Sequence, residues 1–406
     1  MHNVVVIGGG AAGMMAAYSA AFCGKQVVLI EKNEKLGKKL YITGKGRCNL
    51  TNNVSVSEFL NNVACNPKFL YGALNEFSPS DTIDLFQNNG CKLKTERGNR
   101  VFPESDKASD VSKTLQKLLA GLGVKILLNT AVTEILTENG QVTGVKTDSA
   151  LISCDSVIIC TGGVSYPLTG STGDGYSFAR NIGHAIVPLK PSLVGIELQG
   201  NVFSDLQGLS LKNVAITFYD KSKKLYDDFG EMLFTHFGVS GPIILSASCI
   251  LNQIELNGVT LKIDLKPALS EKTLDERLLR EFETGKLKSI ANVMRALLPQ
   301  ALVETVLKVA KVEGTKRCSD ILKSERANIV YTLKNLEFKV KGLRPIEEAI
   351  VTAGGVSVKE INPKTMESKL VKGLFFGGEV IDVDAFTGGF NIQIAFSTGF
   401  VAGQNA

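Results

Sequence analysis

Residues 3–31 read NVVVIGGGAAGMMAAYSAAFCGKQVVLIE, and the fold is decided here. Residues 3–7 are apolar and mostly β-branched, which predicts a buried strand; residues 11–22 are small and Ala-rich, which predicts a helix; residues 26–31 are a second buried strand ending in a carboxylate. Between the first strand and the helix, Gly8-Gly9-Gly10-Ala11-Ala12-Gly13 fits G-x-G-x-x-G in the strand, turn and helix setting that gives the motif its meaning. Gly8 suits the tight turn, Gly10 lets backbone approach a pyrophosphate, and Gly13 lets the helix pack on the strand. The helix start at Ala11 and Ala12 then offers N–H groups and a positive dipole end to phosphate. The run from Val4 to Cys23 has 20 residues without a charge, the length of a membrane span, but its central glycines mark a turn instead.

Working outward, Glu31 lies 18 residues after Gly13, where a carboxylate accepts hydrogen bonds from ribose hydroxyls and repels a 2′-phosphate. FAD or NAD is therefore expected, and NADP is not. A second loop favours the longer cofactor. Lys32 and Lys39, then Thr43-Gly44-Lys45-Gly46-Arg47-Cys48-Asn49-Leu50-Thr51-Asn52, are dense in cations, amides and hydroxyls. Arg47 or Lys39 can neutralise phosphate, and Asn49 or Thr51 can bond ribityl hydroxyls. Cys48 has no partner nearby in sequence and reads as a packed small residue rather than a redox thiol.

Residues 124–160 read as a β-meander feeding an apolar strand that ends in Thr161-Gly162-Gly163, with Val132 placed for backbone bonds to adenine and Asn139-Gly140 as a hairpin turn. Residues 169–175 are expected to open a helix. Near the carboxyl terminus a strand over 374–376 leads into Gly377-Gly378-Glu379-Val380-Ile381-Asp382. Gly388-Gly389-Phe390-Asn391-Ile392 then starts an apolar helix. That arrangement sets a carboxylate near the ribityl chain and a positive helix end at the flavin pyrimidine edge. Both chain ends thus serve one ligand, and the expected organisation is an α/β Rossmann-like FAD-binding domain (1–190 and 345–406) interrupted by an insert (191–344). The insert reads as a β-barrel over 191–270 and 327–344, with strand-like spacing over 214–219, 233–237 and 259–265, and a helical subdomain over 271–326.

Composition agrees with an ordinary folded protein: 406 residues, 44% hydrophobic and 21% charged, which excludes wholesale disorder and an integral membrane bundle. The net charge of +5 is unevenly placed: residues 271–344 hold 16 Lys+Arg and 10 Asp+Glu, a surplus of 6, and the remainder is at −1. Such a face is ordinarily solvated helix; RNA contact is the sharper alternative. Eight cysteines without a C-x-x-C pair and three histidines exclude zinc-finger, ferredoxin and thioredoxin chemistry, so no metal is expected, and a reducing, cytoplasmic setting is.

Residues 7–13, Glu31-Lys32, 43–52, 100–103, 169–175, 234–242 and 377–393 together resemble the BaiN-type NAD(P)/FAD-dependent oxidoreductases over nearly the whole chain. The resemblance implies a FAD domain of glutathione-reductase type with a barrel-bearing insert. Thr161-Gly162-Gly163 and Thr172-Gly173-Asp174-Gly175 are more distantly similar to fumarate-reductase flavoproteins, and the dithiol of disulfide reductases is absent. Family members reduce a bile-acid enone, oxidise an amino-ketone, or form dihydrouridine in ribosomal RNA, so the substrate stays open. The expected chemistry is hydride exchange between flavin N5 and an activated C=C or C=X bond of a small molecule, with NAD(P)H as a transient reductant. His236 and Tyr166 are the candidate proton relay. The alternatives are a dihydrouridine synthase acting on ribosomal RNA through the basic insert, and a flavin-binding sensor without turnover.

Overall fold

A computed structural model describes residues 2–200 and 203–406, and the chain divides into two compact units, Met1–Ser192 with Pro345–Ala406, and Leu193–Arg344. In the first unit, β1 (His2–Ile7), α1 (Ala11–Phe22) and β2 (Val27–Ile30) follow one another as the glycine motif requires. β1 runs parallel to β2, with Val4 opposite Val27, and on its other side parallel to β3 (Leu151–Ile159), with Val4 opposite Ser156. The Lys125–Leu127 strand lies beyond β2. The first half of β3 pairs with a hairpin formed by Val132–Glu138 and Gln141–Thr147, and its second half with β4 (Leu374–Phe376), Leu374 standing opposite Val157. A seven-stranded sheet results.

The pairing of β4 with β3 is what returns the carboxyl-terminal segment to the glycine loop. From β4 the chain enters α2 (Phe390–Asn405), which packs on α1 through small residues. A Cβ at Gly399 would stand 2.3 Å from the Ala12 carbonyl oxygen, and one at Gly403 2.2 Å from that of Ala16. Only a backbone without side chains there lets the helices approach so closely. The uncharged run that imitates a membrane span is thus a buried strand and a helix enclosed by α2 and the sheet: Val4, Val5, Val6, Met14, Met15, Ala16 and Ala17 are all fully buried. Among the described residues no helix is long and apolar enough to cross a membrane.

The second unit contains a closed six-stranded barrel in the spatial order Ile196–Leu198, Gly238–Ser240, Lys223–Phe234, Ser210–Asp220, Val259–Asp264, Leu336–Leu343. Helices Glu271–Thr284, Ile290–Met294, Gln300–Val309 and Lys323–Lys334 share one apolar core with the barrel; their own charges cancel, 7 Lys+Arg against 7 Asp+Glu, so the basic surplus of 271–344 sits in the loops between them and in the last barrel strand. Two local readings differ. The strand expected over 233–237 ends at Phe234, because Thr235 N–H bonds the Gly238 carbonyl (2.8 Å) and turns the chain. The helix expected from Thr169 begins at Asp174, after a short 3-10 turn over Pro167–Thr169.

Candidate functional site: a cradle at the carboxyl ends of β1 and β3

The glycine loop has the shape its sequence requires. Gly8 takes φ +101°, and a Cβ on Gly13 would lie 1.8 Å from the Gly8 carbonyl oxygen, so helix and turn interlock only with glycine there. Above Gly10 nothing lies within 4 Å of an added Cβ, and no side chain caps α1. The first-turn N–H groups of Ala11, Ala12 and Gly13 have no intrahelical partner by construction. An open backbone approach beside uncapped amides fits a pyrophosphate.

At the end of β2, Glu31 is buried; its Oε2 accepts from Gly9 N–H (2.7 Å), and its Oε1 from the backbone N–H (2.8 Å) and side-chain amide (2.6 Å) of Asn33. A carboxylate offers about four lone-pair sites, so this one is fixed in orientation with capacity left for a ribose hydroxyl. Glu31 also draws in the segment leading to Val132: its N–H donates to the Leu127 carbonyl (2.8 Å), and its carbonyl accepts from Thr130 N–H (3.1 Å), two residues before Val132.

The glycine-rich segments far apart in sequence are tied together by cations. Lys32 Nζ donates to Thr172 Oγ1 (2.5 Å) and Asp174 Oδ2 (2.6 Å). Lys39 Nζ donates to Ser165 Oγ (2.7 Å) and Glu379 Oε2 (2.7 Å), while Glu379 Oε1 accepts from Ser165 Oγ (3.0 Å) and Thr352 N–H (2.9 Å). A Cβ on Gly163 would meet Glu379 Oε1 at 2.8 Å, and one on Gly378 the Ala12 Cβ at 2.7 Å. Gly162 (φ +72°) turns the chain after Thr161, whose Oγ1 is buried without a partner. The structure therefore brings the glycine loop, Glu31, Lys32, Lys39, residues 161–163, Gly378 and Glu379 together. Ser165, Asp174 and Thr352, which do the tying, are not singled out by the sequence, since contacts across more than a hundred residues leave no local signal; Asp174 in the polar 169–175 loop is the nearest to one.

Other candidates are spent elsewhere. The Arg47 guanidinium bonds Glu96 and, at 2.7 Å, Asp106, and it stacks 4.1 Å over the Phe102 ring, so its charge is already balanced away from a phosphate. Cys48, two residues after Gly46, is buried, and burial pushes its thiol up to about 12, which suits a packed residue rather than a thiolate. Asn391 at the start of α2 bonds Ala385 through both ends of its amide, and Phe390 packs edge-on against Phe59 at 5.0 Å. Ile392 is partly buried against the same core.

Asp382 is buried with Asn66 Nδ2 on its Oδ2 (3.0 Å); burial raises its pKa, and the Asn66 bond opposes that. Asp384, bonded by Ser192 Oγ at 2.6 Å, is pushed up to about 6 by burial, with the negative Asp382 and Glu379 adding to it. Tyr166 adopts the left-handed region (φ +52°) at the head of the Pro167–Thr169 turn in the first unit. His236 is exposed in the 235–237 turn of the second unit, edge-on to Phe237 at 5.1 Å.

The same architecture occurs in solved structures. A flavocytochrome c3 fumarate reductase in an open conformation aligns with the whole chain (TM-score 0.53, 18% identity, 78% of that chain). The 3-ketosteroid-delta4-(5alpha)-dehydrogenase of Rhodococcus jostii does so as well (TM-score 0.52, 14% identity, 95% of that chain). At those identities the likeness is one of fold. Among relatives in sequence, the 3-dehydro-bile acid delta(4,6)-reductase of Clostridium scindens is 29% identical, covering 100% of this chain and 99% of its own length. The ribosomal RNA dihydrouridine synthase of Haemophilus influenzae is 31% identical over 98% of this chain and 96% of its own. Fold, cradle and relatives together define a flavin-dependent oxidoreductase of Rossmann type. The family described as HI0933-like protein Rossmann domain matches residues 2–405, and the chain belongs to it.

Proposed function

We propose that the protein binds FAD across the cradle and exchanges a hydride with an activated C=C or C=X bond of a small molecule, NAD(P)H serving as reductant. The observation that carries this reading is the meeting, in one unit, of an uncapped α1 start, the oriented Glu31 and the Gly378-Glu379 segment, tied by Lys39. When bound, the flavin supplies hydride exchange at N5. The chain's own residues do the rest: Ala11, Ala12 and Gly13 amides hold diphosphate, Glu31 the ribose, and Lys39 with Glu379 fixes the seam where α1 and β4 meet. Tyr166, on the strained loop beside this seam, is the proton-relay candidate of the first unit, and His236 that of the second.

The test is anaerobic mixing of the purified yellow protein with NADH and with NADPH. Bleaching of the flavin band within the mixing experiment, followed by its return on adding an enone, supports the reading; a flavin that neither donor reduces defeats the reductant assignment.

A second reading has uridine in ribosomal RNA as the acceptor. It is favoured by the relatives named dihydrouridine synthase and by the second unit's cations, of which Lys288, Lys308, Lys311, Arg317 and Lys323 are exposed and form no ion pair among the described residues. Lys316, by contrast, is held by Glu325 at 2.8 Å. RNA binding through the free cations should weaken steeply with salt.

A further inference from the structure

Two side-chain amide oxygens flank the Gly388-Gly389 start of α2, and neither has a donor: Asn49 Oδ1 and Asn52 Oδ1 are buried with no hydrogen-bond partner. Asn52 is 3% exposed, and its amide cannot be turned, because Nδ2 donates to the Gly98 carbonyl (3.0 Å) and the Gly388 carbonyl (2.9 Å). The Asn49 amide is different. It makes no hydrogen bond at either end among the described residues, its oxygen lies 2.9 Å from where a Cβ on Gly389 would stand, and Gly389 (φ +97°) is the N-cap of α2, with no side chain capping the helix. A buried acceptor without a donor is costly, so such a pair beside a sixteen-residue helix start marks where a ligand's donors belong. An amide with neither end bonded presents one acceptor and one donor side by side. That is the complement of an imide edge, an N–H flanked by carbonyls.

We infer that Asn49 reads the imide edge of the flavin, its Oδ1 accepting from N3–H and its Nδ2 donating to a neighbouring ring carbonyl, beside the positive start of α2. The inference rests on the flavin reading above. It assigns Asn49 to the ring, where the sequence alone leaves it among candidates for the ribityl chain. No covalent step is involved.

The test uses the FAD-loaded protein, its Asn49→Ala and Asn49→Ser variants, and exchange of FAD for N3-methyl-FAD, with release followed by the rise of flavin fluorescence on dilution. Wild-type protein should release N3-methyl-FAD about tenfold faster than FAD, the ratio a single lost hydrogen bond of this kind gives. Both variants should release FAD about tenfold faster and treat the two flavins alike, with unchanged circular dichroism, since Asn49 bonds nothing else in the fold. Equal discrimination in variants and wild type overturns the assignment. A uracil base carries the same edge, so unchanged flavin release combined with weaker uridine binding in the variants assigns the amide to substrate and also overturns it. A protein that takes up no FAD defeats the flavin reading itself, and the inference with it.

Discussion

Gly10 and Gly13 stand three residues apart in one loop and should fail in opposite ways. Gly10 has an extended backbone (φ −79°, ψ −167°) that Val readily adopts, and the space beside it is open, so Gly10→Val should fold with stability within about 0.5 kcal/mol of wild type while losing most of its FAD. Gly13→Ala forces a methyl to 1.8 Å from the Gly8 carbonyl oxygen and should destabilise the fold by about 1–3 kcal/mol or more, whatever the ligand. Thermal melts alongside flavin content distinguish the two. A Gly10→Val protein that keeps full FAD would show that the pyrophosphate lies elsewhere. Asp384 gives a prediction in pH. Its folded pKa, about 6, is raised above the ordinary carboxylate value of 3.8, so the folded state holds the proton more tightly. Its contribution to stability is therefore complete below about pH 4 and declines as pH rises through 6. Relative to Asp384→Asn, wild type should gain up to about 3 kcal/mol between pH 7 and pH 4, read from denaturant midpoints. An identical pH dependence in both proteins would refute the burial argument.

At the scale of elements, the crossing of α1 and α2 holds the two helix starts of the cradle in place. Gly399→Val would bring a side chain against the Ala12 carbonyl, separate the helices, and shift the Gly389 end of α2 relative to the Gly10 end of α1. The expected outcome is a loss of about 1–3 kcal/mol in stability together with weaker FAD retention. Equal FAD retention in Gly399→Val and wild type would show that the crossing does not position the site. Local physics makes this much of the fold legible in sequence: β-branched runs at 3–7 and 26–31, the glycine turn between them, and the strand before Gly377 are all period and turn chemistry. The links among those elements are not legible. Lys39 meets Glu379 across 340 residues and Thr51 meets Gln393 across 342, pairings that depend on β4 docking beside β3 rather than on any neighbouring residue. Arg47 illustrates the converse: its composition-based promise as a phosphate ligand ignores Glu96 and Asp106, which the sequence places 49 and 59 residues away and the fold brings to its guanidinium.

At the scale of the whole molecule, the charge is divided so that the choice between small-molecule and RNA substrate can be made by salt. The basic surplus of residues 271–344 becomes, in the folded unit, a smaller set of free cations once Lys316, Arg326 and Lys334 have met Glu325, Asp275 and Asp264. Lys288 and Arg317 are carried to adjacent backbones by the Ser289 to Arg317 bridge and by Cys318 N–H bonding the Lys288 carbonyl at 3.1 Å, and both are exposed. If ribosomal RNA docks on this unit, replacing Lys288, Arg317 and Lys323 together with Gln should reduce the slope of log affinity against log salt by about 2 to 3, near the number of counterions that those three contacts displace from the phosphates. The same triple variant should leave NAD(P)H-dependent flavin bleaching and enone turnover unchanged, because the residues that build the cradle belong to the other unit. Filter binding across a salt series, with flavin reduction measured in parallel, reads both quantities. A protein that binds no RNA even at low salt removes the RNA reading and leaves the small-molecule one; a triple variant that loses RNA affinity with an unchanged salt slope places the contact on groups other than these cations.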